Sequence, residues 1–313
     1  MRRAIAFVLL VVGVFFLCLA PLLRWYTYPR VLKAPLDIYE TDEAVGTGTY
    51  FSTEVLKEVG PTRLQNLQTY RGNVKAGNHD VAVYDAFSTT KDLGNDGVID
   101  ASTERLAFDR QSGQSVHCCG EHPRHVGLTL KFPFGTRKTT YLFWDSTAGR
   151  AFPATYVSTT TLGGLKVYVF KQHIGPTLLG SLQVSGTMAG EPDVANVNAF
   201  IRYTALTTLW VEPVTGAIVK GSQSAQRLLV TGDGSTILTI AHTDLAANPR
   251  TVDRTARRVE NSVAQLNLVH DYLPVGGSVL GVVCLIVGGL LLRRRPASSE
   301  EGVRTRESSA QLA

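Results

Sequence analysis

The chain has 313 residues and a formal charge of +5, with 31 Lys and Arg against 26 Asp and Glu. Arg2, Arg3 and the stretch from Arg293 onward hold seven of the basic and three of the acidic residues, which leaves the region between them at +1. Basic charge gathered beside apolar segments orients a membrane protein, and so a nucleic-acid partner is excluded.

Residues 1–3 precede an apolar stretch over 4–23, AIAFVLLVVGVFFLCLAPLL. A cleaved signal peptide and a retained anchor compete for it. A signal core usually runs 7–15 residues before a small-residue cleavage site. Here the run is longer, Cys18-Leu19-Ala20 is the nearest match to such a site, and no lipobox precedes Cys18. Trp25, Tyr26 and Tyr28 follow where an interfacial aromatic belt belongs. A retained transmembrane helix with residues 1–3 in the cytoplasm is therefore expected.

Residues 24–250 form the expected extracytoplasmic domain, large enough for one sizeable core. It is rich in Thr, Val, Tyr and Gly, with short β-branched runs between turn signals. HDVAVYDAF (79–87), VGLTLKFPF (126–134), LKVYVFKQHI (165–174), FIRYTALTTLWVEP (200–213) and TILTIAHTD (236–244) read as antiparallel strands. The fold class expected is a mainly β domain, a curved antiparallel sheet of half-barrel or sandwich type, between two transmembrane helices. FDRQSGQSV (108–116), WDSTAGRAF (144–152) and VEPVTGAIV (211–219) share one design. Each runs from an apolar residue to a carboxylate and reaches a Gly four positions on, as in a turn whose acid binds backbone N–H groups. Repeated hairpin chemistry and a true internal repeat explain this equally well.

Val252, Ala256, Val259, Val263, Leu266 and Leu273 make an apolar stripe over 251–274, which predicts an amphipathic stalk helix ending at Pro274. The next segment, 275–292, is VGGSVLGVVCLIVGGLLL, uncharged and nearly long enough to cross a ~30 Å hydrocarbon core. From Glu260 to Pro274 there is no Lys or Arg, whereas Arg293, Arg294 and Arg295 follow the span. The positive-inside rule then puts the middle of the chain outside and both ends in the cytoplasm. The tail, 293–313, is Ser-, Glu- and Arg-rich without apolar periodicity and is expected to be disordered.

Chemistry-bearing residues concentrate in HCCGEHPRH (117–125). Adjacent Cys118 and Cys119, with no further cysteine in the outer region, suggest a vicinal disulfide and a redox role. The competing reading is a soft-metal site of Cys119, His122 and His125, although its spacing matches no structural zinc pattern. KDLGNDGVID (91–100) lacks two ligands of a calcium loop and reads as a hairpin turn. Nucleophile-elbow, H-E-x-x-H, phosphate-loop and dinucleotide patterns are absent, so neither catalysis nor a cofactor is expected.

The start of the chain through Asp37, GTGTYF (46–51), DGVIDASTERLAFDRQSGQSVHCCGE (96–121), LGGLKVYVFKQ (162–172) and TTLWVEPVTGAIVKG (207–221) resemble the actinobacterial family labelled porin PorA. That resemblance implies a two-helix envelope membrane protein with a large outer β domain, and the label implies a channel. Two separate apolar helices are nevertheless unlike the alternating strands of a membrane barrel. The hairpin of Trp210, Glu212, Pro213 and Gly216 is also similar to one in LolA-like lipoprotein carriers, whose half-barrels shelter acyl chains. The function expected is a bilayer-anchored envelope protein holding a lipid or other apolar envelope component. An interaction protein without a cavity is the alternative, and a channel stands third.

Overall fold

The computed structural model describes residues 2–293, so Met1 and the tail beyond Arg293 lie outside the described residues. Its elements in chain order are α1 (Arg2–Pro21), α2 (Tyr28–Val31), β1 (Tyr39–Ser52), β2 (Lys57–Gly72), β3 (Val81–Asp92), β4 (Val98–Asp109), β5 (Tyr141–Asp145), β6 (Arg150–Leu162), β7 (Leu165–Ser185), α3 (Gly186–Ala189), β8 (Asn196–Val211), β9 (Ile218–Val230), β10 (Thr236–Ala247), α4 (Pro249–Asn267) and α5 (Leu273–Arg293). They separate into two units, one over Arg30–Leu266 and one joining the residues up to Pro29 with those from Asn267 onward.

The second unit is an antiparallel helix pair. A Cβ on Gly13 would stand 2.8 Å from the Gly281 carbonyl, and one on Gly281 would stand 2.9 Å from that of Gly13. The helices approach this closely because glycine presents only backbone there. Outside that seam Phe7, Val11, Phe15, Val279, Val283 and Ile286 are exposed. Both helices are long and apolar enough to cross a membrane. Their inner ends are π-helical turns over Leu22–Thr27 and Leu268–Tyr272, where Arg24 meets Asp271 at 3.7 Å and the Tyr28 and His270 rings lie 4.3 Å apart. Pro274 does not end the amphipathic helix, as the sequence suggested; it occupies the first turn of α5. Its ring would clash with the carbonyl four residues back, and that residue, His270, sits in the wider π-turn, which relieves the clash.

The Arg30–Leu266 unit is one antiparallel sheet of ten strands, in the order β4-β3-β2-β1-β10-β9-β8-β7-β6-β5. Neighbours in space are neighbours in sequence except β1 and β10, which pair over Ala44–Tyr50 and Ala241–Ala247. The sheet curls into a half-barrel, because Arg227 on β9 reaches Asp100 on β4 at 3.8 Å although four strands lie between them. Strand alternation sorts the faces. One cross-strand row reads Lys171, Thr208, Ser222, Ala246, Val45, Gln65 and Lys91, and its neighbour runs through Ser224, Asp244, Thr47 and Arg63. These rows form the convex face. Their Lys, Arg and Asp side chains differ from the apolar outer band of a strand-crossing barrel.

Helix α4 lies along the end of the sheet where β1, β7 and β9 begin. Ala256 and Val259 are buried against Leu165, Val167 and Val219, with Val252 and Val263 beside them. Asn248 donates to Glu43 at 2.8 Å, Arg254 donates to the Thr41 carbonyl at 2.5 Å, and Arg258 pairs with Glu40. The apolar stripe thus packs on the sheet through its first half, while Leu273 belongs to α5 and is exposed.

Four of the five expected strands appear, as β3, β7, β8 and β10. VGLTLKFPF does not form one. It belongs to the long connection Arg110–Thr140, a strap running from edge strand β4 to edge strand β5. Leu128 and Phe132 are fully buried with Phe143, Phe170 and Val211, which explains the strand-like pattern, but only Leu128 pairs with neighbouring backbone in the manner of a strand. Pro133 lacks an N–H, and Gly127 and Gly135 have positive φ on either side.

The strap is seated on the β8–β9 turn. Phe132, Gly135 and Thr136 donate their N–H groups to the carbonyls of Gly216, Val214 and Pro213 at 2.8, 3.0 and 2.7 Å. Gly216 has φ 72°, and a Cβ there would collide with the Phe132 and Pro133 carbonyls. Gly216→Val should therefore destabilise the β unit by at least about 2 kcal/mol. Thermal unfolding of the full chain checks this, with Gly175→Ala, which meets open space, expected to stay within about 0.5 kcal/mol of the parent.

Candidate functional site

The concave side of the sheet holds a cavity of about 450 Å³. Its wall mixes hydroxyls and amides, among them Asn66, Ser88, Thr207 and Gln223, with Tyr50, Leu64 and Leu209. The polar members bond to one another across strands: Asn66 donates to Ser88 and Thr90 at 3.0 Å each, and Gln223 donates to Thr207 at 3.0 Å. Thr251 and Thr255 of α4 reach the same space. The residues of this lining were not legible in the sequence, because they alternate with the convex residues over nine strands and become contiguous only after the sheet curls.

The strap closes the open side. Arg105 on β4 exchanges backbone bonds with His122, its N–H donating at 2.7 Å and its carbonyl accepting at 3.1 Å. The Val116 N–H bonds the Ala107 carbonyl at 2.8 Å. On the other side the Leu128 N–H donates to Leu142 at 2.8 Å, and the Trp144 N–H donates to Leu128 at 2.7 Å. Both edges of the sheet are thereby joined through the segment that carries HCCGEHPRH.

His125 is fully buried in this seam. One ring nitrogen, Nδ1, is 3.0 Å from Glu121 Oε1, and the other, Nε2, is 3.3 Å from Glu104 Oε2 on β4. Its ring packs edge-on against Trp144 of β5 at 4.9 Å. One side chain thus touches the strap and both edge strands. Glu121 also accepts the His125 backbone N–H at 2.8 Å and faces His117 Nδ1 at 3.0 Å. Burial works against the Glu121 charge, but the bonds from His117 and His125 together outweigh it and hold the carboxyl below its ordinary value.

Cys118 and Cys119 are joined as a vicinal disulfide, with Cys119 at φ 63°. Cys119 therefore offers no free thiolate to a metal, and both His125 nitrogens face carboxylates. The three residues considered for a metal site are not brought together as ligands, and among the described residues no cluster of three or more His, Cys, Asp or Glu is arranged to hold an ion. Asp92, the first ligand of the calcium-loop reading, is instead the acceptor that folds a turn. It takes bonds from Thr62 Oγ1, the Gly94 N–H and Tyr50 OH at 2.6, 2.7 and 3.1 Å.

The three carboxylate-to-glycine turns share their chemistry. Asp109 Oδ1 accepts from Ser112 N–H and Oγ at 2.7 Å each, Asp145 Oδ1 accepts from Ala148 N–H at 2.7 Å, and Glu212 accepts from the Val214 and Thr215 N–H groups at 2.8 Å each. Trp210 faces the other way, with Lys220 Nζ 4.6 Å from its ring centre and the α4 cluster beside it. Its hairpin seats the strap and α4, and Trp210 does not line the cavity. Burial raises the Asp145 carboxyl despite a 3.0 Å bond from Tyr203, and burial brings Lys131, set 3.9 Å over the Phe134 ring, down to about 7.

A family model described as Porin PorA matches residues 5–290, taking in both helices and the whole sheet. The chain belongs to the Porin PorA family. A relative from Corynebacterium amycolatum, itself called Porin PorA, is 22% identical over 300 residues, which cover 71% of this chain and 77% of the relative. In this member of the family the strands surround the cavity, and the two apolar helices are the candidate spans.

Two outcomes follow from the seam. Intact-mass analysis of the protein should show it two hydrogen atoms lighter than its reduced form, and free alkylation of both Cys118 and Cys119 in the untreated protein would contradict the disulfide. Because the folded Glu121 carboxyl lies below its ordinary 4.5, the stability it contributes is complete above that pH and is lost as pH falls through the lowered value. Glu121→Gln should accordingly lower stability at neutral pH and flatten its decline in acid, as read by urea unfolding at a series of pH values.

Proposed function

We propose that the protein is an envelope membrane protein whose β unit lies outside the bilayer and holds an amphiphilic envelope component in its cavity, both termini being cytoplasmic. The observation that carries this reading is the cavity itself. A sheet of this kind that served only as a docking body would fill its concave side with side chains, whereas this one keeps about 450 Å³ open, within the usual size range of ligand pockets. The lining corrects the expectation of a purely apolar pocket. Hydroxyls and amides alternate with Tyr and Leu, which suits a molecule with an apolar chain and a polar head better than a bare acyl chain. The reading is non-enzymatic, with the bilayer and the amphiphile as its partners.

Native mass spectrometry of the full chain, released from a mild detergent, should show a bound species of lipid mass. A ligand-free spectrum from every detergent tried would overturn the reading.

The family description favours a channel as the second reading. The polar convex rows favour conduction by several copies that assemble their apolar helices around a path. Discrete conductance steps of the purified protein in a planar bilayer, abolished when α5 is deleted, would select the channel. A silent bilayer together with bound lipid selects the container.

A further inference from the structure

The strap makes one detour against β4. The Val116 N–H bonds Ala107, and His122 pairs with Arg105, two residues away on β4, so His117–Glu121 must leave the strand and return within about 7 Å. A tight turn makes the return, with the Glu121 N–H donating to the Cys118 carbonyl at 3.0 Å. Its central residues, Cys119 and Gly120, have φ 63° and 75°, the left-handed pair that a type I′ turn requires. Gly120 adopts this freely. Cys119 carries a Cβ, and an ordinary side chain there favours a different backbone. The Cys118–Cys119 bond closes a small ring through the intervening peptide, so the backbone of both residues is held with it. Glu121, the last residue of the turn, accepts the His125 backbone N–H and faces the Nδ1 atoms of His117 and His125. His125 Nε2 in turn meets Glu104 on β4.

We propose that the Cys118–Cys119 disulfide is a redox-sensitive latch: reduced by a dithiol, it releases the turn and with it the strap's hold on β4 between Val116 and His125. Both cysteines are half-buried, which leaves surface for an attacking thiolate. One thiolate of the reductant opens the bond as a mixed disulfide, and its second thiol then displaces the cysteine still bound. The reductant ends as a disulfide and Cys118 and Cys119 as two thiols, two electrons and two protons having moved. Cys119 is then free to leave the left-handed region. Glu121 moves with it, so His125 loses the carboxylate on its Nδ1 side, and Glu104 on the cavity wall loses a fixed neighbour. Leu128 and Phe132 stay buried in the core, which confines the opening to the β4 side of the strap. The latch acts on the wall of the cavity, whatever the cavity holds.

Hydrogen exchange of the full chain in detergent micelles, with and without dithiothreitol, tests the latch, and intact mass reports the bond in each sample. Reduction should speed exchange of the Arg105, Val116 and His122 amides roughly five- to thirtyfold, the factor equivalent to the 1–2 kcal/mol that a left-handed residue costs. The amides of the β8–β9 ladder should be unchanged. Two variants separate the turn from the sulfur chemistry. Cys118→Ala/Cys119→Ala, tested without reductant, should exchange like the reduced parent. Cys118→Ala/Cys119→Asn puts before Gly120 the residue that type I′ turns favour, and should stay as protected as the oxidised parent with or without dithiothreitol. A bond that survives dithiothreitol in the folded protein, unchanged exchange in the reduced parent, or equal acceleration across the β8–β9 ladder overturns the latch. An alanine variant as protected as the oxidised parent does the same. Equal loss of protection in the alanine and asparagine variants overturns the turn as its cause.

Discussion

An open sheet has two edges, and every carbonyl and N–H along them must find a partner. In this protein one segment, Arg110–Thr140, covers part of each edge, its backbone bonding to Arg105 and Ala107 on one side and to Leu142 and Trp144 on the other. Exposed edges invite pairing with other chains, and covering them removes that hazard. The same bonds hold the curl closed, so the cavity exists because the edges are paired. His125, in contact with the strap and both edge strands, adds a side-chain tie at the same place. The β8–β9 turn provides the seat, with its carboxylate folding the loop and its carbonyls turned outward to receive the strap.

This arrangement bears on the family description. A porin in the strand-crossing sense presents apolar residues outward and polar ones inward. Here the convex rows carry Lys91, Arg63, Asp244 and Lys171, while the concave side mixes Leu and Tyr with amides and hydroxyls. The membrane-compatible surface belongs to α1 and α5 instead, which meet through Gly13 and Gly281 and expose Phe and Val elsewhere. The cavity and the candidate membrane spans are thus built from different elements, one polar on its outer rows and the other apolar.

What was legible in the sequence followed from local rules. Uninterrupted apolar length marked the helices, and a carboxylate four residues before a glycine marked the three turns, because both signals act within a few positions. The strands β3, β7, β8 and β10 showed through their β-branched runs. The strand β2, KEVGPTRLQNLQTYRG, did not, because it faces a polar cavity on one side and water on the other and so lacks an apolar alternation. VGLTLKFPF failed in the opposite sense: its alternating Leu128, Leu130 and Phe132 serve the core, but its backbone meets a strand only at Leu128, and the Phe132 N–H goes to a turn. His125 and Glu104 are 21 residues apart, and only the strap brings them together. The conspicuous HCCGEHPRH run drew attention to its cysteines, whereas the buried contacts in it are made by Glu121 and His125.

The topology has a mechanical consequence. Nine ladders hold the ten strands to one another, and none of them is part of the seam. Lifting the strap from β5 breaks the two backbone bonds between Leu128 and its neighbours Leu142 and Trp144, and leaves every regular strand pair in place. Such a lift also uncovers Leu128 and Phe132, which are fully buried against Phe143 and Phe170, so core packing holds the seam shut more than its two bonds do. The hem and the staves are fastened by different forces.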